Sequence, residues 1–249
     1  MNLSVENNLK KFFNKFYLFK QTGEALKYAP VVSEIKKRGL TSSKILEIGL
    51  GPLGITPYLK TQIGAPDIDF SGLKSNLPAK IKVRGEKFSF KANSYDVSVS
   101  VDSLENIPFM NREKAVFEML RVTKKLAIIV VPCGEASEDQ DKQLRNHWNK
   151  IFNKKNQYLE EHIKNGLPKV EEILVYIDKS KRLLGKNSQI KSYPNLNLFV
   201  RNILMRTWIT KNKYSYYLYM KGYLLIVPIL KYCNFGKTYR RVFVIEFRE

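Results

Sequence analysis

The sequence predicts an α/β fold, a mainly parallel sheet with helices on both faces and a final strand at the C-terminus. Three observations predict it. Short apolar runs alternate with stretches of helical spacing through the first half of the chain. The first such run closes directly on a glycine-rich loop. The chain then ends on a strongly apolar segment, TYRRVFVIEFRE. Parallel strands are covered on both sides and read as unbroken apolar runs, so strand–helix alternation of this kind points to a parallel sheet.

Residues 5–38 carry helical spacing, with Phe12, Phe13, Phe16, Tyr17 and Phe19 crowded together. Val31, Val32 and Ile35 form a second helical stripe ending near Gly39. KILEIGL (44–50) is a buried parallel strand, and helical spacing resumes from Ile55 to Leu59. PDIDF (66–70), IKVRGE (81–86) and YDVSVSV (95–101) give three further strands, and 113–122 an amphipathic helix. LAIIVVP (126–132) is a fifth buried strand. From 135 to 186 the chain is polar and helical, with a break at 166–168. Residues 189–210 hold a sixth strand and a helix, and the terminal segment is the last strand. No repeat or low-complexity linker divides the chain, so one domain is expected.

Composition bounds the function classes. With 249 residues and 44% apolar side chains there is enough material for a full core. The net charge is +20, from 43 Lys and Arg against 23 Asp and Glu. Such an excess invites a nucleic-acid or anionic-membrane partner. The lysines are, however, spread along the whole chain among many Asn and Ile, and no zinc-finger, KH or RRM signature accompanies them. Nucleic acid is therefore not the favoured partner. Cys133 and Cys233 stand alone, which leaves no disulfide framework and no cysteine-based metal site. A reducing, cytoplasmic compartment is expected, and the N-terminus lacks the apolar core of a signal peptide. Residues 214–232 are the most apolar late stretch. Lys221, Gly222 and Pro228 interrupt it, and it falls short of the roughly 20 apolar residues of a membrane span. A buried helix pair is expected there, with a helix lying on a membrane surface as the alternative, since Tyr and Lys suit that interface.

The glycine loop carries the chemistry. Gly49, Gly51 and Gly54 follow the first strand and open a helix. The first can take a dihedral closed to other residues, the second lets a ligand approach the backbone, and the third allows close helix packing. Asp69 lies at the distance where an acid binds ribose hydroxyls, and Asp67 is its rival because alternate strand residues share a face. This much also fits a nicotinamide-dinucleotide fold. Glu47, two residues before the first glycine, separates the two readings: a cationic sulfonium or ammonium ligand gives that carboxylate a purpose.

EIGLGPLG resembles the first motif of class I S-adenosylmethionine-dependent methyltransferases. The resemblance continues in order through VRGE (83–86), FKANSYD (90–96), SVDSLENIP (100–108), REKAVFEMLRVTKK (112–125) and IIVVPCG (128–134). It covers roughly residues 41–134 and implies a Rossmann-like, mainly parallel seven-stranded sheet with an antiparallel C-terminal strand. It also implies S-adenosylmethionine as cofactor, cradled by Gly49, Gly51 and Gly54 with Glu47 ordering the loop. Asp69 or Asp67 would hold the ribose, Glu86 would accept from the adenine amino group, and Asp102 would border the methyl-transfer pocket. Each has a plainer competitor: a helix cap for Asp69, a solvated loop acid for Glu86 and a turn residue for Asp102. Asn106 stands where the LExIP pattern usually carries His, which weakens any general-base role there.

The organisation implied is a helical cap over 1–40, a donor-binding half over 41–134, a mostly helical substrate side over 135–237 and the last strand over 238–249. His162 lies in LEEH, which resembles an element of bacterial methyltransferases found with polysaccharide genes. His162 and His147 are the only histidines and the candidate general bases, with an exposed or structural role as the alternative. No metal cluster is visible. The NPPY-type signature of nucleobase amino methyltransferases is absent. The leading expectation is methyl transfer to a small molecule, sugar or lipid-linked glycan, with peripheral membrane contact admitted. The alternatives are an RNA methyltransferase, a binding module that keeps the donor pocket without turnover, and a nicotinamide-dependent oxidoreductase.

Overall fold

The computed structural model describes residues 20–49, 54–60, 79–81 and 88–248. In chain order these form α1 (Thr22–Lys37), β1 (Ile45–Ile48), α2 (Thr56–Lys60), β2 (Ala79–Ile81), β3 (Tyr95–Val101) and α3 (Phe109–Val122). There follow β4 (Thr123–Pro132), α4 (Glu135–Phe152), α5 (Gln157–Asn165), α6 (Val170–Leu184) and β5 (Ser188–Asn197). α7 (Leu198–Trp208), α8 (Lys213–Met220), α9 (Val227–Leu230) and β6 (Thr238–Phe247) complete the described chain, with single 3-10 turns at Leu104–Asn106 and Gly222–Ile226.

The sheet order is β2-β1-β3-β4-β6-β5. β1 pairs in parallel with β2 and β3, and β3 with β4. β6 runs antiparallel to both β4 and β5. This is the mainly parallel, Rossmann-like arrangement with an antiparallel terminal strand. Six strands, not the expected seven, stand among the described residues. The expected strand at 66–70 lies outside them, and of the expected strand at 81–86 only Ile81 lies within, as the last residue of β2.

The pleat explains why the core divides in two. Side chains alternate across a strand. Along β4, Leu126, Ile128 and Val130 pack with Val31 and Ile35 of α1 on one face. Ala127, Ile129 and Val131 pack with Met119 of α3 and Ile177 of α6 on the other. Both faces are covered, so β4 reads as one continuous apolar run. Among the later helices, three start on an asparagine. The side chains of Asn156, Asn197 and Asn212 accept hydrogen bonds from backbone amides of the first turns of α5, α7 and α8, satisfying donors that a helix cannot pair internally.

The expectation of a buried helix pair over 214–232 is corrected. The segment is helical, as α8, the Gly222–Ile226 turn and α9, but Tyr214 is 63% exposed and Ile229 68% exposed. It is too short, and too broken by Gly222 and Pro228, to turn all of its apolar side chains inward at once. Among the described residues no helix is long and apolar enough to cross a membrane.

Candidate active site at the carboxyl edge of the sheet

In an open α/β sheet, ligands bind beyond the carboxyl ends of the strands. β1 ends at Gly49 (φ 151°) and β3 runs into Asp102, a non-glycine residue at φ 46°. The two strand ends are tied together by Ser103, whose hydroxyl lies 3.1 Å from both the Ile48 and the Val101 carbonyl oxygens. A side chain on Gly49 would collide with that hydroxyl, so the close crossing of the two loops requires glycine.

Glu47 is buried and fully occupied by the protein. The Tyr28 hydroxyl donates to its Oε1 at 2.6 Å and the Ile55 amide to its Oε2 at 3.0 Å. The carboxylate therefore anchors α1 to β1 and holds the chain re-entering at α2. Gly54 (φ 55°) lies against the same carboxylate, which any Cβ there would strike. Glycine at both positions suits a cradle that brings backbone close to a bound donor. Gly51, Asp67, Asp69 and Glu86 lie outside the described residues.

Asp102 forms a bidentate pair with Arg240 of β6, Oδ1 to Nε at 2.6 Å and Oδ2 to NH2 at 2.7 Å. Lys27 of α1 stands 3.8 Å away. Burial raises the Asp102 pKa, but Arg240 and then Lys27 outweigh it and bring the carboxyl down to about 2. A carboxylate so held is a fixed charge and a poor proton acceptor.

His162 on α5 is 0% exposed. Its Nδ1 lies 2.9 Å from Asp141 Oδ2, which also accepts from the Tyr239 hydroxyl at 2.9 Å. Asp141 Oδ1 accepts from Arg201 at 2.7 Å. Its Nε2 lies 3.7 Å from Glu105 Oε1. Burial and then the Asp102 charge push Glu105 well above the usual carboxylate range. The Tyr158 ring packs on His162 with centroids 4.0 Å apart. His147, the other histidine, is on α4, and burial followed by Arg206 lowers its pKa.

In front of the Asp102–Arg240 pair is a cavity of about 630 Å³. α1 contributes Glu24 and Lys27, α5 contributes Tyr158 and Glu161, and α7 and α8 contribute Trp208 and Tyr219. Asn106 also lines it. Of the residues expected to be functional, Asp102 lines this cavity, Gly49 meets Ser103 next to Asp102, Glu47 lies against Gly54, and His162 sits behind Tyr158. Arg240, Arg201, Asp141 and Glu105 were not singled out from sequence. Nothing in the sequence marks them, because their partners are far away along the chain: Arg240 meets Asp102 across 138 positions.

Residues 46–131 match the protein family described as "Methyltransferase domain". Over these residues the sequence is that of an S-adenosylmethionine-dependent methyltransferase domain. The match runs from β1 to the end of β4, the half of the sheet that holds the glycine loop and Asp102. No curated protein matches this methyltransferase by sequence. Among solved structures it is similar to the plantazolicin methyltransferase BpumL in complex with a monoazolic substrate analogue and SAH. That likeness has a TM-score of 0.51 at 12% identity, over 98% of this chain and 90% of the other. Magnesium protoporphyrin IX methyltransferase from Synechocystis, with bound SAH, aligns at 11% identity and a TM-score of 0.49 over 100% and 96% of the two chains. At these identities the likeness is one of fold.

Two variants test the electrostatics. Asp102→Asn keeps the shape but leaves Arg240 buried without its counter-charge, and should cost about 3–5 kcal/mol in urea unfolding at neutral pH. Because the folded pKa lies below the usual 3.8, the wild-type contribution should be full above that value and fade as pH falls toward 2. Glu105→Gln should act in the opposite sense. The folded state retains a proton that the unfolded chain releases above about 4.5, so wild-type stability falls as pH rises. Removing the group should raise the melting temperature at pH 7 and leave it unchanged well below pH 4.5. An unchanged melting temperature at pH 7 would mean that Glu105 loses its proton as readily in the fold as in the unfolded chain, and a lowered one that it is ionised and paired.

Proposed function

We propose that this methyltransferase acts on a small molecule, sugar or lipid-linked glycan bound in the cavity between α1, α5, α7 and α8. The observation that carries this reading is the cavity itself. At about 630 Å³ it has the size of a small-molecule site. It mixes aromatic walls (Tyr158, Trp208, Tyr219) with charged groups at its floor (Lys27, Asp102, Arg240), a lining suited to a sugar or another polar ring compound. The fold-level relative BpumL, crystallised with an azole-containing analogue, gives the same acceptor class some support.

S-adenosylmethionine supplies an electrophilic methyl group on sulfonium sulfur, and the protein's task is alignment and exclusion of water. Gly49, Gly51 and Gly54 form the cradle, which Glu47 braces from behind. Asp69 holds the ribose hydroxyls in preference to Asp67, and Glu86 accepts from the adenine amino group. Asp102, neutralised by Arg240, fixes the floor of the pocket and does not take the acceptor's proton. Buried His162 is a positioning residue that sets Tyr158 through ring contact. The cavity carboxylates left for proton transfer are Glu24, paired with Lys27 at 2.8 Å, and Glu161, which accepts from Gln157 at 2.8 Å.

S-adenosylhomocysteine should bind calorimetrically, and Asp69→Ala should weaken it by about 2 kcal/mol, the scale of a lost charge-assisted hydrogen bond, with Asp67→Ala doing less. The reverse order would transfer the ribose contact to Asp67. A screen with labelled donor against sugar, lipid-glycan and RNA pools tests the acceptor. Label should enter the first two, and Trp208→Ala should raise the acceptor KM about tenfold or more while leaving SAH affinity unchanged. Label confined to RNA would overturn the reading.

A further inference from the structure

The helices that wall the cavity have an outward face. Around Leu26 and Leu196, the inner face packs Val200, Leu204, Tyr219, Tyr223, Val227 and Leu230. On α7, Phe199 and Ile203 turn away from that cluster and are 72% and 46% exposed. Leu225, Ile226 and Ile229 are exposed beyond it, as are Tyr232 and Phe235. Phe235 is held beside the start of α7, because Asn197 Nδ2 donates to its carbonyl and the Leu198 amide donates to that of Lys237. Single exposed apolar residues are ordinary. Here ten of the fifteen large exposed ones among the described residues fall between 199 and 235, and a concentration of that kind marks an interaction surface.

The charge on this segment is one-sided. No Asp or Glu occurs between Asp178 and Glu246, an interval holding 14 Lys and Arg. Arg206, Lys211, Lys213, Lys231 and Lys237 are exposed on the helical segment itself. Lys213 and Lys231 lie over the rings of Tyr214 and Tyr232, at 5.4 and 4.9 Å from their centroids.

We propose that the outer surface of residues 199–235 docks on an anionic lipid bilayer. Aliphatic and aromatic side chains interleaved with uncompensated cations are what a headgroup interface accepts: apolar groups enter the acyl boundary while lysines stay at the phosphates. Nucleic acid would use the cations but would leave Leu225, Ile226 and Ile229 in water. A second copy would bring together two surfaces of the same charge. α7 and α8 also line the cavity, so docking brings its wall to the bilayer. Resting on the function proposed above, this narrows the acceptor to a lipid-borne one.

The test is co-sedimentation of the full chain with vesicles of phosphatidylcholine alone or mixed with phosphatidylglycerol. Binding should require phosphatidylglycerol and fall with salt. Leu225→Ser with Ile229→Ser should weaken it about tenfold or more, and Lys211→Ser or Lys231→Ser about fivefold each. All of these sit on the surface, so their melting temperatures should match wild type. No binding to the mixed vesicles, or binding that the variants leave unchanged, overturns the proposal. So does binding to a mixed-sequence RNA oligonucleotide with vesicles ignored. So does a dimer that Ile229→Ser dissociates, seen without vesicle binding. SAH binding measured on the same preparation separates the two readings: its loss counts against donor binding, and loss of vesicle binding alone counts against the docking surface.

Discussion

The ion pair between Asp102 and Arg240 is the constraint on which the rest of the site depends. Asp102 leaves β3 in the left-handed region, a conformation that costs free energy for a non-glycine residue. Arg240 stands near the start of β6, the last strand of the chain. Joining them at 2.6 and 2.7 Å with both groups nearly buried ties β3, inside the sheet, to β6 on the far side of β4. The cavity floor therefore exists only in the completed fold. Either charge alone in that place would carry a desolvation cost that the surrounding apolar residues cannot offset.

A second polar cluster stands behind the first. Asp141 gathers Arg201, His162 and Tyr239 on its two oxygens, and the Arg201 guanidinium stacks 3.3 Å from the centroid of the Tyr239 ring. These groups come from α4, α5, α7 and β6, of which only β6 contributes side chains to the sheet's two main cores. The helices among them also share an apolar cluster around Leu144, Leu159 and Ile209, and the directional bonds add to that packing a single arrangement of the cavity walls. Arg112 does similar work nearby. It is 1% exposed, and its guanidinium donates to the carbonyls of Ile107, Asn165 and Gly166, closing the 3-10 turn after Asp102 against the end of α5.

How much of this was legible in the sequence follows from the range of the interactions. Residues 126–132 of β4 are an unbroken apolar run, β1, β3 and β6 carry shorter or alternating apolar patterns, and α1 and α3 carry regular stripes, so local periodicity is enough to find them. The break at 166–168 is visible because glycine and proline mark it. Glu47 stands out by its place before Gly49, where the resemblance implies a residue that orders the glycine loop. In the fold its two oxygens are taken by Tyr28 and Ile55, a pairing that no local pattern encodes. Arg240 was invisible for the same reason: an arginine opening a terminal strand looks like a solvated end until the strand is placed beside Asp102. The exposure of 214–232 was misjudged because hydropathy reports what a segment could bury and not how much surface its neighbours have left to cover.

That last point bears on how the helical half works as a unit. α7 is only 11 residues long, about three turns, yet it serves the cavity on one side and solvent on the other. Val200 and Leu204, four residues apart, form its inward stripe, and Arg201 beside them reaches Asp141. Phe199 and Ile203 form the outward stripe by the same spacing, displaced by one residue. A helix so arranged cannot shift along its axis without moving both faces together. Whatever the outward stripe rests on is thereby coupled, through a rigid element, to Leu204, Met205 and Trp208 in the cavity wall. The geometry links the surface that would meet a partner to the residues that would select an acceptor, through one short helix capped by Asn197 and pinned by Arg201.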